Sequence, residues 1–117
     1  MKYDISIYMH EMGFLTIDVP DQIFLVHDLV TSDIQEGGAG IWLEVINKVL
    51  SKESSYEEIT GNVCTMEVNY EVTNIIFEYA EEGEEDHCLI ETEELKQIFM
   101  LWDEAIEKKH GENSFYR

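Results

Sequence analysis

The stretch VTNIIFEYAEEGEEDHCLIETEELKQIFMLWDEAI, residues 72–106, decides the fold. It opens with alternation. Ile75, Phe77 and Tyr79 fall on one side of the chain, and Asn74, Ile76 and Glu78 on the other. That is the period of a β-strand, which we place over residues 72–79. After an acid-rich turn, residues 87–91 form a short final strand. A helix follows. The Thr92 hydroxyl suits an N-cap, because it can accept from a free backbone N–H. Glu93 and Glu94 stand in the first turn, where the helix dipole favours negative charge. Leu95, Ile98, Phe99, Trp102, Ala105 and Ile106 make one apolar stripe. Lys108, Lys109 and His110 occupy the last turn, and Gly111 can form the stop. Residues 111–117 are expected to be a frayed tail, on which Phe115 and Tyr116 could dock.

Working outward, the acidic turn is the strongest chemical feature. Residues 78–94 hold nine acids and no Lys or Arg. Between Lys52 and Lys96 there are fourteen acids and no basic residue. A charge run is in general a solvated face. This one joins a strand to a helix, so it is carried on a folded scaffold. Glu78, Glu81, Glu82, Glu84, Glu85 and Asp86 are the candidate partner-binding carboxylates, placed to pair with Lys and Arg. Tyr79 is a candidate aromatic anchor.

The whole chain carries 26 acidic and 7 basic residues, a net charge of −19. Such a field repels nucleic acid phosphates and anionic membranes, so neither is expected as a direct partner. High salt tolerance would be one reason for it and a strongly basic partner another; the clustering favours the partner. With 117 residues and 44 % apolar content the chain is sized for one domain, residues 1–117. A domain of this length buries roughly two-thirds of its unfolded surface. Thirteen aromatics argue against disorder, and a single Pro with seven scattered Gly leaves no long linker. Cys64 and Cys88 make no disulfide framework. The N-terminus lacks the apolar core of a signal peptide, and no run approaches the roughly 20 residues that span a bilayer. A reduced, cytoplasmic protein is expected, as a monomer or weak dimer.

Toward the N-terminus, residues 3–9 alternate, with Tyr3, Ile5 and Ile7 on one face. A turn with Gly13 at positive φ leads to a second strand over residues 14–19. Pro20-Asp21 suits a tight turn, and the apolar, β-branched run at residues 22–28 reads as a third strand. Residues 31–40 are loop-like. A helix follows, with Ile41, Trp42, Val45, Ile46, Val49 and Leu50 on one face and Lys48 and Lys52 toward its end. Residues 55–69 read as one long strand with a bulge or kink at Gly61, and Asn69-Tyr70 makes the next turn. The class is therefore α+β: an antiparallel sheet of about five to six strands with two helices, the longer one C-terminal.

No catalytic motif is present. There is no CxxC, HxxxH or HExxH, and His87 and Cys88 are neighbours on a strand, so they face opposite ways and cannot chelate one zinc ion. A calcium loop centred on Gly83 would need ligands at Ala80 and Leu89. The GGAG at residues 37–40 lacks the Lys-Ser/Thr of a P-loop, and Leu43 stands where GxGxxG needs its third glycine. No GxSxG occurs, and neither cysteine sits in a basic setting that would activate it. No enzyme activity, metal or other cofactor is expected.

The opening pair KYDISIYMHEMGFLTIDV, residues 2–19, and the closing NIIFEYAEEGEEDHCLIETEELKQIFMLWDEAI, residues 74–106, resemble small bacterial immunity proteins. The resemblance is closest to those paired with contact-dependent growth-inhibition toxins. It implies a non-enzymatic inhibitor that binds one toxin domain, often a nuclease, and blocks its active site or substrate groove. The charge pattern adds that this toxin is cationic. The alternative is an acidic mimic of nucleic acid that titrates a basic nucleic-acid-binding protein. A mimic would bind several basic proteins, an immunity protein one cognate.

Overall fold

The closing segment folds as its pattern requires. β5 (Val72–Phe77) and β6 (His87–Glu91) pair antiparallel, with Thr73 opposite Ile90 and Ile75 opposite Cys88. α3 (Thr92–Phe115) follows β6 without a loop. Its stripe of Leu95, Ile98, Phe99, Trp102 and Ile106 is buried, and each such side chain contributes about 1.5–3 kcal/mol of burial. The structure, a computed structural model, describes residues 1–115, with side chains as far as residue 111.

The molecule is α+β, with six strands in two antiparallel sheets and three α-helices, the longest C-terminal. β1 (Ser6–Met9) and β2 (Leu15–Asp18) form a two-stranded ribbon. Gly13 closes their hairpin at φ 92°, as its position demanded. β3 (Glu57–Thr60) and β4 (Cys64–Val68) join β5 and β6 in a four-stranded sheet of order β3-β4-β5-β6. One face of that sheet, with Met66, Ile75 and Ile90 at its centre, is buried beneath the helices.

Several expectations are corrected. Residues 22–28 are not a strand. A 3-10 turn (Asp21–Ile23), α1 (Leu25–Asp28), a π-helical turn (Leu29–Ile34) and a second 3-10 turn (Gln35–Gly37) make one helical run. Ile23, Val26, Leu29, Val30 and Ile34 are buried at helical spacing, and Pro20, with φ −66°, stands at the N-terminus, where proline belongs. Burial on one helical face outweighs the β-branched composition. With no strand here to bridge them, the single expected sheet divides in two.

The long strand at residues 55–69 is instead the β3–β4 hairpin. Asp33 makes the difference. Its Oδ1 accepts from Val63 N and its Oδ2 from Cys64 N, both at 2.9 Å. A Cβ on Gly61 would stand 2.6 Å from Asp33 Cγ, so the turn passes there only as glycine.

α2 (Gly40–Leu50) starts at the glycine loop, but Ile41 is 62 % exposed, so its buried face centres on Trp42, Ile46 and Val49. Asp103 of α3 accepts from Ala39 N at 2.8 Å and Trp102 Nε1 donates to the Gln35 carbonyl at 2.9 Å, which fixes this loop to α3.

The Thr92 hydroxyl does not cap α3. It donates to the Asn69 carbonyl and accepts from Thr73 Oγ1 at 2.8 Å, because residue 92 is still tied to the sheet. Gly111 does not end α3, which continues to Phe115. The docking expected of Phe115 and Tyr116 concerns side chains outside those described.

Two polar struts hold the N-terminal ribbon and the N-terminus. Glu36 accepts from Leu15 N at 3.0 Å and pairs with Lys109, which also donates to the Gly13 carbonyl at 2.9 Å. The Lys109 hydrogen bond holds the Glu36 carboxyl below its ordinary range. Glu91 pairs with Lys2 and accepts from Tyr3 Oη at 2.6 Å. Lys2 first, then Tyr3, lowers its pKa to about 2.

Candidate functional site

The acidic stretch is the connection between β5 and β6. Phe77 N donates to the Asp86 carbonyl at 2.7 Å and closes its base. Glu78 N donates to the Val63 carbonyl at 2.9 Å, which anchors the start of the loop on the β3–β4 turn. At the tip, Glu84 N donates to the Glu81 carbonyl at 3.0 Å, and Gly83 takes φ 91°. An L side chain is strained in that conformation. Glu84 Oε1 accepts from Glu81 N at 2.7 Å, so one carboxylate braces the turn that carries it.

The structure brings Glu81, Glu82, Glu84, Glu85 and Asp86 together on this exposed turn. Asp86 meets His87 Nδ1 at 3.0 Å, with both side chains more than half exposed. Among the described residues none of the other four makes an ion pair. Tyr79 is 68 % exposed, and its ring meets Phe77 edge-on at 6.3 Å between centroids. An exposed ring held by a neighbour loses little entropy on contact with a partner. Glu78 stands apart from the tip. Its Oε1 accepts from Thr65 Oγ1 at 2.6 Å on the sheet face away from the helices.

That outer face carries residues the sequence reading did not single out. Glu58 on β3 and Glu67 on β4 are direct cross-strand partners. Tyr56 Oη donates to Glu58 Oε2 at 3.0 Å and reaches Glu67 Oε2 at 3.5 Å, and Asn74 Nδ2 donates to Glu67 Oε1 at 3.1 Å. Loss of hydration first, and the Glu58 hydrogen bond next, push the Tyr56 phenol up to about 12. Along β4, Glu67 alternates with the buried Met66 and Val68 and so faces outward. Its pairing with Glu58 was hidden because residues 55–69 read as one strand.

Cys64 and Cys88 are free and buried, and burial pushes the Cys64 thiol up to about 12. A thiol in that state is a small core residue and no nucleophile. Among the described residues no three His, Cys, Asp or Glu side chains converge to hold a metal ion. Among them also, no helix is long and apolar enough to cross a membrane. A shallow cleft between β1 and α3 is lined by Ile5, Ile7, Leu101, Glu104, Ala105 and Lys108.

No protein-family model matches the chain, and no solved structure is significantly similar to it. An immunity protein of Bacillus cereus is 33 % identical to it over 114 residues, which cover 97 % of this chain and 97 % of that protein.

Proposed function

The chain belongs to the family of that immunity protein, and from this membership we propose that it binds and neutralises a cognate toxin whose docking surface is cationic. One observation carries the charge of the partner. Glu81, Glu82, Glu84 and Glu85 crowd the exposed turn of the β5–β6 hairpin and have no Lys or Arg partner among the described residues. A protein that keeps so much unpaired negative charge destabilises itself by repulsion, and gains rapid capture of a positive surface in return.

The toxin is a nucleic-acid-cleaving domain. Its substrate groove must be cationic to hold phosphates, and carboxylates on Glu78 and the 81–86 turn take the places of those phosphates. Tyr79 seats as the aromatic anchor. Binding is 1:1 and occludes the groove, with no catalysis by the inhibitor, which is a monomer or weak dimer in the cytoplasm. The toxin is of the contact-dependent growth-inhibition kind, a reading supported by the opening strand pair and by the acidic hairpin that runs into α3.

Co-expression tests this. The adjacent open reading frame, induced alone, is expected to arrest growth with degraded nucleic acid, and induction together with this chain to restore growth. Arrest that persists with both proteins present at equal levels contradicts the proposal.

A further inference from the structure

The four-stranded sheet has one face without a helix on it. The row Glu58–Glu67–Asn74–Leu89 crosses all four strands there. Leu89 is 57 % exposed and Val72 38 %. An antiparallel sheet can leave one face to water, and such a face is then polar with both signs interspersed. This one differs in two respects.

First, Glu58 and Glu67 stand directly opposite each other, a like-charge cross-strand pair that weakens the sheet. The donors that meet them are the neutral Tyr56 phenol and Asn74 amide. Thr65, also neutral, holds Glu78 on the same face. None of the three carboxylates has an ion pair among the described residues. They are held in place but not neutralised. Second, Asn74 Oδ1 is shielded from solvent and meets no donor, a state that costs about 1–3 kcal/mol. A fold that breaks the pairing rule and leaves an acceptor empty in the same row is arranged for something other than its own stability.

Building on the immunity reading above, we propose that the toxin seats on this open face as well as on the acidic turn, with an arginine side chain between Glu58 and Glu67 and an apolar side chain against Leu89. Arginine fits better than lysine. Its planar fork carries five donors, enough for two carboxylates on neighbouring strands, and it stacks on a ring such as Tyr56. Glu78 makes the surface continuous, since its backbone begins the acidic loop and its carboxylate lies on the sheet. An exposed apolar side chain beside fixed charges is the usual composition of an interface centre and its rim.

The test titrates the toxin domain of the adjacent gene, inactivated by substitution in its own active site, against three forms of this protein. The unaltered form binds. E58Q/E67Q keeps the shapes and removes the repulsion, so its melting temperature stays level or rises, while Kd increases at least about thirtyfold. L89K keeps the fold, because Leu89 touches solvent, and also raises Kd at least about tenfold by opposing a cationic partner. If E58Q/E67Q fails to fold, L89K decides alone. Folded variants that bind within twofold of the unaltered form overturn the sheet-face proposal and leave the immunity reading intact. Failure of the unaltered form to bind overturns both.

Discussion

Reversing Glu81, Glu82, Glu84 and Glu85 to Lys together is expected to slow association with the toxin about a hundredfold at low ionic strength. The substitution changes the turn by eight charges at sites that are exposed and close in sequence. Steered association reaches about 10⁸–10⁹ M⁻¹s⁻¹, against about 10⁵–10⁶ without steering, so two decades lie within the available range. The salt dependence of the on-rate flattens as well, because salt has less attraction left to screen. The dissociation rate changes less, since steering acts before contact. Folding stability is expected to hold. The loop lies outside the core, and the loss of one hydrogen bond, donated by Glu81 N to the Glu84 carboxylate, is offset by relief of repulsion. Stopped-flow mixing at two salt concentrations measures this. Unchanged rates at both would move the steering surface to another acidic group, such as Asp18, Asp21 and Asp28.

The second large effect is on the fold. Asp33→Ala is expected to destabilise the protein by about 2–4 kcal/mol, because a charge-assisted hydrogen bond is worth about 1.5–3 kcal/mol and the two here share one partly exposed carboxylate. Both oxygens of Asp33 are used at 2.9 Å, on the consecutive amides of Val63 and Cys64. Cys64 is fully buried, so its amide is costly to leave without an acceptor. Gly61→Ala should act through the same contact. Its new Cβ would stand 2.6 Å from Asp33 Cγ and push the carboxylate off both amides. The double variant should therefore cost less than the sum of the two. Urea denaturation reads this as a lower midpoint with the slope unchanged. A loss below about 0.5 kcal/mol for Asp33→Ala, the range of an ordinary surface change, would mean that this carboxylate does not hold the hairpin. The consequence reaches the proposed interface, since the β3–β4 turn sets the register that places Glu58 opposite Glu67.

This Asp33 contact also explains which parts of the fold could be read in advance. α3 was legible because charge and apolar spacing agreed over several turns, and the hairpins at Gly13 and after Asn69 because local turn chemistry specifies them. The β3–β4 hairpin was not. The group that bends the chain at residue 61 lies about thirty residues earlier in sequence, and no local signal announces a distant carboxylate. The helical run after Pro20 is hidden for another reason. Ile23, Val26, Leu29, Val30 and Ile34 repeat at helical spacing, but the β-branched composition of the same run points to a strand. Thr92 and Gly111 each suit a helix end, yet Thr73 and Asn69 engage the first and α3 runs past the second.

The candidate site divides in the same way. The acidic turn is contiguous in sequence, so its members were named together and the structure gathers them on one loop. The carboxylate pair on the sheet comes from two strands whose partnership depends on the hidden hairpin. Glu78 is next to the turn along the chain, while its carboxylate belongs to the sheet face through Thr65.

The protein is proposed to capture one cationic toxin through a fixed negative surface. Calorimetric titration of the purified, inactivated product of the adjacent gene, repeated at low and at physiological salt, tests it most directly. Saturable heat at a 1:1 ratio is expected, with an affinity that falls as salt rises. No heat at either salt concentration, with both proteins folded, would contradict it.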